Sequence, residues 1–361
     1  QVTTERVVTV AFTVQEIENI TAAAIDYHFK RGVVVSNTKF DKPTLAKLQS
    51  GQKTFPGGKG NITIRVKGNY STTIQGFNHD DSVNYVNPAN IKTATYPWKL
   101  IHAGISFSMH ELLNDGVSVV DSEDGKSTTN HSDRELTALA NLLKDKLEDM
   151  QEGIDRGFNI MWWKDGTQDA TLVPGIRSIV TDTPTAAGTV GGLDQTQVDS
   201  RGVAWWQNRA SLLVDSTTPS NLNLINKLQF ELRQLRKYGG RPNYFPAGST
   251  FMDNFEKEMR SKGTFTLDGW AKTGKMDASI ADLSFKGIDV MYDPVLDDIG
   301  LAKYGFLLDT RHIYPMVIDG ENMKDHAPAR PENKYVFYRA KTYAGGFVAD
   351  QRNCHGVYSN L

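Results

Sequence analysis

The segment from Asp133 to Trp163 carries one apolar stripe over about eight turns of helix. Ser132 or Asp133 can cap its N-terminus with a side-chain oxygen. At 1.5 Å per residue the segment is roughly 45 Å long, more than twice the length of an average helix in a globular protein. A helix of this length must pack along an extended surface, so it constrains the fold strongly. The stripe consists of Leu136, Leu139, Leu143, Leu147, Met150, Ile154, Phe158 and Met161.

The residues before this helix predict a long two-stranded arm. Between Asn61 and Gln75 apolar and polar residues alternate, which is the period of a half-buried strand. The segment from Trp98 to Met109 supplies a partner strand, and residues 78–90 between them, rich in Asn, Asp and Ser, predict a loop. A two-stranded hairpin is marginally stable by itself in water. We therefore expect the arm to lie against another surface.

The remaining segments predict a mixed α and β protein. A helix from Thr218-Pro219 to Gly239-Gly240 carries Leu222, Ile225, Leu228, Leu232 and Leu235 on one face. Further helices are predicted over 14–30, after Asp41 with Leu45 and Leu48 on one face, and over 249–262. Strands are predicted over 3–12, 33–35, 243–245, 288–292, 306–309, 335–344, 346–350 and 356–358.

Length and composition exclude several classes of protein. A chain of 361 residues can hold two or three folded units. Its 40 Lys plus Arg and 42 Asp plus Glu give a net charge of −2, so no overall field draws it to nucleic acid or membrane. No apolar run is long enough to span a bilayer, and no signal-peptide pattern is present. Gln1 in first position is compatible with a processed N-terminus.

Two segments resemble phosphate-binding loops but lack a required residue. In Gly269 to Met276 the glycines and Lys275 have the right spacing, yet Met276 stands where Ser or Thr must hold magnesium. In Asp124-Gly125-Lys126-Ser127-Thr128 the leading glycine is replaced by Val120. We interpret the second segment as a polar loop.

The candidate metal sites are also incomplete. Met109-His110-Glu111-Leu112-Leu113 begins like a zinc-protease helix, but Asn114 occupies the place of the second histidine. Asp121, Glu123 and Asp124 could hold calcium, but Ser132 stands where the closing glutamate of an EF-hand is needed. We expect no bound metal and no cofactor.

Nucleophilic catalysis and sugar binding have little support in the sequence. Gly-x-Ser-x-Gly is absent, and the single cysteine, Cys354, is interpreted as an inert, half-buried thiol. The glycosylation patterns at Asn61, Asn69 and Asn130 are interpreted as chance matches. The tryptophan pairs could stack on bases or sugars, but we favour packing or subunit contacts for them. These pairs are Trp162-Trp163 and Trp205-Trp206.

The order of the predicted elements resembles the HK97-type major capsid protein of tailed bacteriophages. The resemblance covers nearly the whole chain and rests on order and pattern, since this fold has no invariant motif. The stretches that carry it are Thr181-Asp182-Thr183-Pro184 to Trp205-Trp206-Gln207-Asn208, Arg241-Pro242-Asn243-Tyr244-Phe245-Pro246, Phe285-Lys286-Gly287-Ile288-Asp289-Val290, Gly305-Phe306-Leu307-Leu308-Asp309, Lys334-Tyr335-Val336-Phe337-Tyr338-Arg339 and Gly356-Val357-Tyr358.

The resemblance implies an α+β, HK97-like capsid fold in five segments. These are an N-terminal arm (1–51), an extended hairpin or E-loop (52–110), a peripheral P-domain (111–171) with a spine helix over 133–163, an axial A-domain (172–325) and returning P-domain strands (326–361). It also implies that the E-loop lies across a neighbouring subunit, although a hairpin packed on its own domain remains an alternative. Some family members crosslink subunits through a Lys, an Asn and a catalytic Glu. Here Asn333 can match the asparagine, but Arg339 or Ala340 stands in place of the glutamate, so no crosslink is expected.

The implied function is structural and without an enzyme site. Pentamers and hexamers of one chain would form an icosahedral shell around double-stranded DNA, with portal, scaffolding and decoration proteins as possible partners and no membrane. The expected location is the virion, with assembly in the host cytoplasm. An encapsulin-like compartment is the main alternative, because it shares the fold. A carbohydrate-active α/β enzyme using Trp205, Trp206 and nearby aspartates is a remote one.

Overall fold

The computed structural model describes residues 12–13, 41–68, 74–85, 90–114, 119–120, 133–199, 201–261, 283–326 and 336–361. The predicted helix over 14–30 and the predicted strand over 33–35 lie outside this part. The chain forms two compact units, each built from three separate pieces. The first unit comprises residues 1–39, 101–156 and 321–343, and the second comprises 40–100, 157–320 and 344–361.

Among the described residues, the helix Asp133–Trp163 is by far the longest, with 31 residues. The helices are α1 (Pro43–Ser50), α2 (Met109–Asn114), α3 (Asp133–Trp163), α4 (Ile176–Ile179), α5 (Asn223–Arg236), α6 (Ser249–Ser261) and α7 (Pro294–Asp298), with a 3-10 turn at Pro219–Asn221. Helix α3 has the predicted bounds. Its described apolar positions from Leu147 to Met161 are buried, which confirms that part of the predicted stripe. The side chains of Leu136, Leu139 and Leu143 lie outside the described part.

In the described part of the chain, the strands form two larger sheets and two small pairs. They are β1 (Phe12–Thr13), β2 (Lys53–Phe55), β3 (Asn61–Lys67), β4 (Ile91–Ser108), β5 (Val119–Val120), β6 (Thr189–Val190), β7 (Leu193–Asp194), β8 (Arg209–Val214), β9 (Phe245–Ala247), β10 (Ser284–Phe285), β11 (Ile288–Tyr292), β12 (Tyr304–Leu307), β13 (Ile313–Ile318), β14 (Lys324–His326), β15 (Val336–Ala349) and β16 (Gly356–Asn360). One sheet has the order β10-β11-β9-β12-β16-β8. The other has the order β2-β13-β15-β4-β3, with β14 also paired to β15.

The core of the second unit lies between the first of these sheets and helices α5 and α6. Apolar residues three or four apart on each helix face the sheet, so the predicted stripe of α5 is confirmed from Ile225 to Leu235. The cluster comprises Leu224, Ile225, Leu228, Leu232, Leu235, Phe245, Ala247, Phe251, Phe255, Leu283, Phe285, Ile288, Val290, Leu307 and Tyr358. Glu258 of α6 is fully buried at its margin and accepts hydrogen bonds from the backbone amides of Leu224 and Ile225.

Helix α5 begins later than the sequence indicates. The prediction placed its first turn at Thr218-Pro219, but Pro219–Asn221 form a separate 3-10 turn and Leu222 has φ of 53°. A left-handed residue interrupts the helix, so α5 starts at Asn223. The carboxylate of Glu258 then satisfies two of the amides that a helix start leaves without a partner.

The predicted pairing of the hairpin is wrong in register. Residues Asn61–Lys67 pair with Ile91–Pro97, not with the segment that begins at Trp98. Strand β4 is a single element of 18 residues, and its first half forms the hairpin. Strand β3 ends at Lys67, so Ile74 and Gln75 are not part of it. Strand β2 lies parallel to β13 and is separate from the hairpin.

The two strands predicted over 335–344 and 346–350 are one continuous strand, β15. Gly345, which separated the two predicted strands, pairs with Val317 of β13, and Gly346 pairs with Met316. A Cβ atom on Gly346 would lie 2.6 Å from the carbonyl oxygen of Pro97. The glycine therefore permits close approach between backbones and does not end the strand.

Candidate assembly interface

Large apolar side chains are exposed around the tip of the hairpin formed by β3 and β4. We call the described residues 74–85 the tip. Within it, Phe77 is 68% exposed and Tyr85 is 94% exposed, and Ile74 and Val83 are exposed as well. Ile91, at the start of β4, is also exposed. A group of exposed apolar side chains on one loop is typical of a protein interaction site.

Polar groups hold the tip together internally. The side chain of Gln75 donates to the carbonyl oxygen of Ser82 at 3.4 Å and accepts from the amide of Asn84 at 3.0 Å. The amide of Asn78 donates to the Asp81 carboxylate at 2.8 Å. The loop thus satisfies several of its own polar groups while its apolar side chains face outward. Phe77 and Tyr85 lie beside and within a segment that the sequence indicated only as a polar loop, so their exposure was not predicted.

The base of the hairpin, in contrast, packs on the rest of the chain. Ile62, Val66, Ala94 and Tyr96 are buried. The Tyr96 hydroxyl donates to the carbonyl oxygen of Ala349 at 2.9 Å, and burial raises the pKa of that hydroxyl. The base of the hairpin therefore packs locally, and the tip is exposed.

Gly68, the residue after β3, lies against the indole ring of Trp205. A Cβ atom at Gly68 would fall on that ring, 2.5 Å from Cζ2. The ring centroid of Trp205 lies 5.7 Å from that of Trp206. Trp206 is buried, and its Nε1 donates to the carbonyl oxygen of Val190 at 2.9 Å. Trp205 and Trp206 are therefore packing residues at the point where the β3–β4 pairing ends. Trp162 and Trp163 are also buried and are packing residues.

A buried arginine, Arg352, forms hydrogen bonds to the backbone next to the tryptophan pair. The guanidinium of Arg352 donates to the carbonyl oxygens of Ile179 and Trp206, both at 2.8 Å, and to Oδ1 of Asn208 at 2.9 Å. Desolvation by burial lowers the pKa of Arg352 to about 10, so the group stays charged at neutral pH. The acceptors of these hydrogen bonds are neutral carbonyl oxygens, which stabilise the buried cation. Nothing in the sequence distinguished Arg352 from a surface arginine.

A second polar cluster of the second unit joins the turns at 309–312 and 350–355. His355 is fully buried, and its Nδ1 accepts from the amide of Asp309 at 3.2 Å. Desolvation lowers the pKa of His355 to about 4. Half-buried His312 lies 2.8 Å from the Asp350 carboxylate, a hydrogen bond that raises the pKa of His312. Cys354 is fully buried, not half-buried as the sequence indicated, and this burial raises the pKa of its thiol and keeps it protonated.

Of the residues in the candidate metal motifs, His110 and Glu111 lie in the described part of the chain. His110 is exposed on α2, and Glu111 there bonds with Lys146 at 3.2 Å. Among the described residues, no group of three His, Cys, Asp or Glu side chains could hold a metal ion, and no helix is long and apolar enough to cross a bilayer. The phosphate-loop and calcium candidates over 120–128 and 269–276 lie outside the described part, apart from Val120 at the end of β5.

The crosslinking positions are only partly described. Arg339 and Ala340 are buried in β15, and Asn333 lies outside the described residues. Beside them, Lys341 forms an ion pair with Asp325 at 2.9 Å across the β14–β15 pairing.

Comparison with known proteins gives the fold. No protein-family model and no curated protein matches the chain. The capsid asymmetric unit of cyanophage A-1(L) aligns with a TM-score of 0.63 and 14% identity, over 91% of this chain and 95% of that chain. For the capsid of cyanophage P-SCSP1u the TM-score is 0.54 at 10% identity, with 92% and 91% covered. For the capsid of a native GTA particle it is 0.51 at 14% identity, with 92% of each chain covered. The chain therefore has the mixed α and β fold of phage capsid proteins.

Proposed function

We propose that this chain is the major capsid subunit of a tailed bacteriophage and assembles with copies of itself into a closed shell. The observation that carries the proposal is the exposed apolar tip of the hairpin in a chain with a phage capsid fold. Phe77 and Tyr85 present apolar surface that the subunit itself does not cover. In a shell of identical copies, a neighbouring subunit can cover it and remove that surface from water.

The elements fit an HK97-like arrangement. We assign the hairpin within 52–110 to the E-loop, α3 to the spine helix of a P-domain (111–171), residues 172–325 to the A-domain and 326–361 to returning P-domain strands, after an N-terminal arm (1–51). Support for this assignment comes from the order of the elements and the length of α3. In it, pentamers and hexamers form an icosahedral shell around double-stranded DNA.

The role is structural, without catalysis or a cofactor. Support comes from the inert Cys354 and from the buried tryptophans Trp162, Trp163 and Trp206, which are packing residues and not a sugar platform. We also propose that no Lys–Asn crosslink forms, since Arg339 and Ala340 supply no carboxylate. The net charge of −2 suits copies that must meet without strong mutual repulsion. Portal, scaffolding and decoration proteins complete the proposed set of partners, and assembly takes place in the host cytoplasm before the subunit is part of the virion.

The tip provides the test of this function. Phe77→Ser combined with Tyr85→Ser should leave the subunit folded, because both side chains are exposed, and should prevent closed shells. His79→Ala, an exposed polar position in the same loop, is the matched control and should assemble normally. Closed shells from the double variant would show that the tip is not an interface between copies.

The content of the shell separates the proposed function from its main alternative. Particles isolated from cells that produce the complete virus should carry nuclease-resistant DNA. Particles that carry a protein cargo without DNA would indicate an encapsulin-like compartment instead.

A further inference from the structure

We propose that Trp205 acts as a stop for the hairpin: its indole ring, pressed against Gly68, sets the direction in which the hairpin leaves the subunit and so positions the tip for assembly. The inference rests on the proposed function, because it concerns how the tip reaches a second copy. Trp205 and Gly68 are assigned as positioning residues that do not themselves touch the neighbour.

The contact lies where the hairpin ladder ends. The last pairing of β3 with β4 joins Lys67 and Ile91, and the amide of Gly68 donates to the carbonyl oxygen of Asn90 at 3.4 Å. Beyond this bond the chain continues toward the tip. Gly68 is thus the last described residue on the side of β3 that is bonded to the partner strand. A small displacement of Gly68 changes the direction in which the chain continues toward the tip.

The glycine is required by the ring. The space that a Cβ atom would take at Gly68 is occupied by Cδ2, Cε2 and Cζ2 of Trp205. No other residue type lets the backbone come so close to the indole. An added methyl group must displace either the strand end or the ring.

The ring is held in place by a chain of anchored contacts. Trp205 lies on Trp206, whose indole nitrogen is bonded to Val190 and whose carbonyl oxygen accepts from Arg352. The neighbouring turn is also tied to the hairpin, since the carbonyl oxygen of Gly191 accepts from the amide of Thr95 at 2.8 Å. Movement of the Trp205 ring would break its contact with Trp206. When a Cβ atom is added at Gly68, we therefore expect the end of the hairpin to move and the ring to stay in place.

The test is a double-mutant cycle with Gly68→Ala and Trp205→Ala. Gly68→Ala should leave the melting temperature of unassembled subunits near that of the unchanged chain, but closed uniform shells should be lost from electron micrographs. Trp205→Ala should give folded subunits and shells of mixed size. In the Trp205→Ala background, Gly68→Ala should make no further difference, because the ring it collides with is gone.

Gly60→Ala is the matched control, since a Cβ atom there meets nothing within 4 Å. Shells from the unchanged chain and from Gly60→Ala test the proposed function by themselves. If both form shells and Gly68→Ala forms the same shells, the stop does not exist. Independent, additive effects of the two substitutions would also overturn it.

If Gly68→Ala lowers the melting temperature, recovery of that temperature in the Trp205→Ala background supports the contact, and no recovery contradicts it.

Discussion

The indole nitrogen of Trp163, the last residue of α3, donates a 2.9 Å hydrogen bond to the Asp293 carboxylate. Asp293 is fully buried and also accepts from the hydroxyl of Thr44 and from the amide of Val295, at the start of α7. One carboxylate thus joins the end of the long helix to α1 and α7 within the second unit. Such a group is stable in the interior only because several donors surround it.

Trp163→Phe tests this junction. The substitution keeps an aromatic ring but removes the donor, so Asp293 loses one of its bonds. Hydrogen bonds to a charged group contribute about 1.5–3 kcal/mol, and we expect a loss of that order in the free energy of unfolding. Urea denaturation followed by circular dichroism measures it. A variant as stable as the unchanged chain would show that Asp293 does not depend on Trp163.

The buried Glu258 provides a second test, at the start of α5. Glu258→Ala leaves the amides of Leu224 and Ile225 without their acceptor in a buried place, and should lower stability by about 1–3 kcal/mol. Glu256→Ala is the matched control on the same helix. Its ion pair with Arg260 is exposed, and such pairs contribute about 0–1 kcal/mol. Equal losses from the two variants would contradict the capping role of Glu258.

A charge on the buried stripe of α3 should prevent folding. Leu147 is 1% exposed, and Leu147→Asp would place an unpaired carboxylate in an apolar interior, one of the few kinds of substitution that cost more than about 4 kcal/mol. We expect loss of the cooperative thermal transition and, as a consequence, of assembly. Asp149→Asn, on the exposed side of the same turn, should change stability by less than about 0.5 kcal/mol. A normal melting curve for Leu147→Asp would show that the stripe is placed wrongly.

His355 should make the protein less stable in acid. Its pKa is about 4 in the folded chain and 6.5 when unfolded, so between these values the unfolded state binds more protons. The associated stability is present above pH 6.5 and is lost as the pH falls toward 4, by about 3 kcal/mol in total. Urea titrations at several pH values should show a shallower decline for His355→Gln than for the unchanged chain.

His312 gives the control of opposite sign. Its hydrogen bond to Asp350 raises the pKa, so its contribution is present below pH 6.5 and is lost as the pH rises through the folded value. His312→Gln should therefore remove the gain in stability that accompanies a fall in pH from the raised pKa to 6.5, and should leave the slope of the decline below pH 6.5 unchanged. Identical pH profiles for the unchanged chain and His355→Gln would mean that His355 is not held neutral in the fold.

Helix α3 was predictable in both bounds because a long stripe of regular period leaves few alternatives. The pairing of the hairpin was not, since both halves of β4 can form a strand and only tertiary packing selects the first half. Strand β13 was not predicted from the sequence. Pro315 argues against a strand in the interior of a sheet, because proline has no N–H to donate, yet Pro315 pairs with Phe347 in β13. Both the pairing of the hairpin and the position of β13 depend on contacts between residues far apart in sequence.

The candidate interface was predictable only in outline. The sequence indicated an arm that needs a surface, but exposure of Phe77 and Tyr85 depends on which strand residues the subunit buries. Likewise, nothing in the sequence indicates that Gly68 contacts Trp205, which lies 137 positions later. Their contact follows from the fold, and the burial of Arg352 beneath it does as well.

Electron microscopy of the purified full-length chain, combined with sedimentation over a range of protein concentrations, tests the central claim most directly. A subunit that completes its apolar tip with a neighbouring copy should form closed shells of uniform size, with few intermediates between free subunits and shells. A small discrete oligomer, or a monomer at every concentration, would contradict the proposed function.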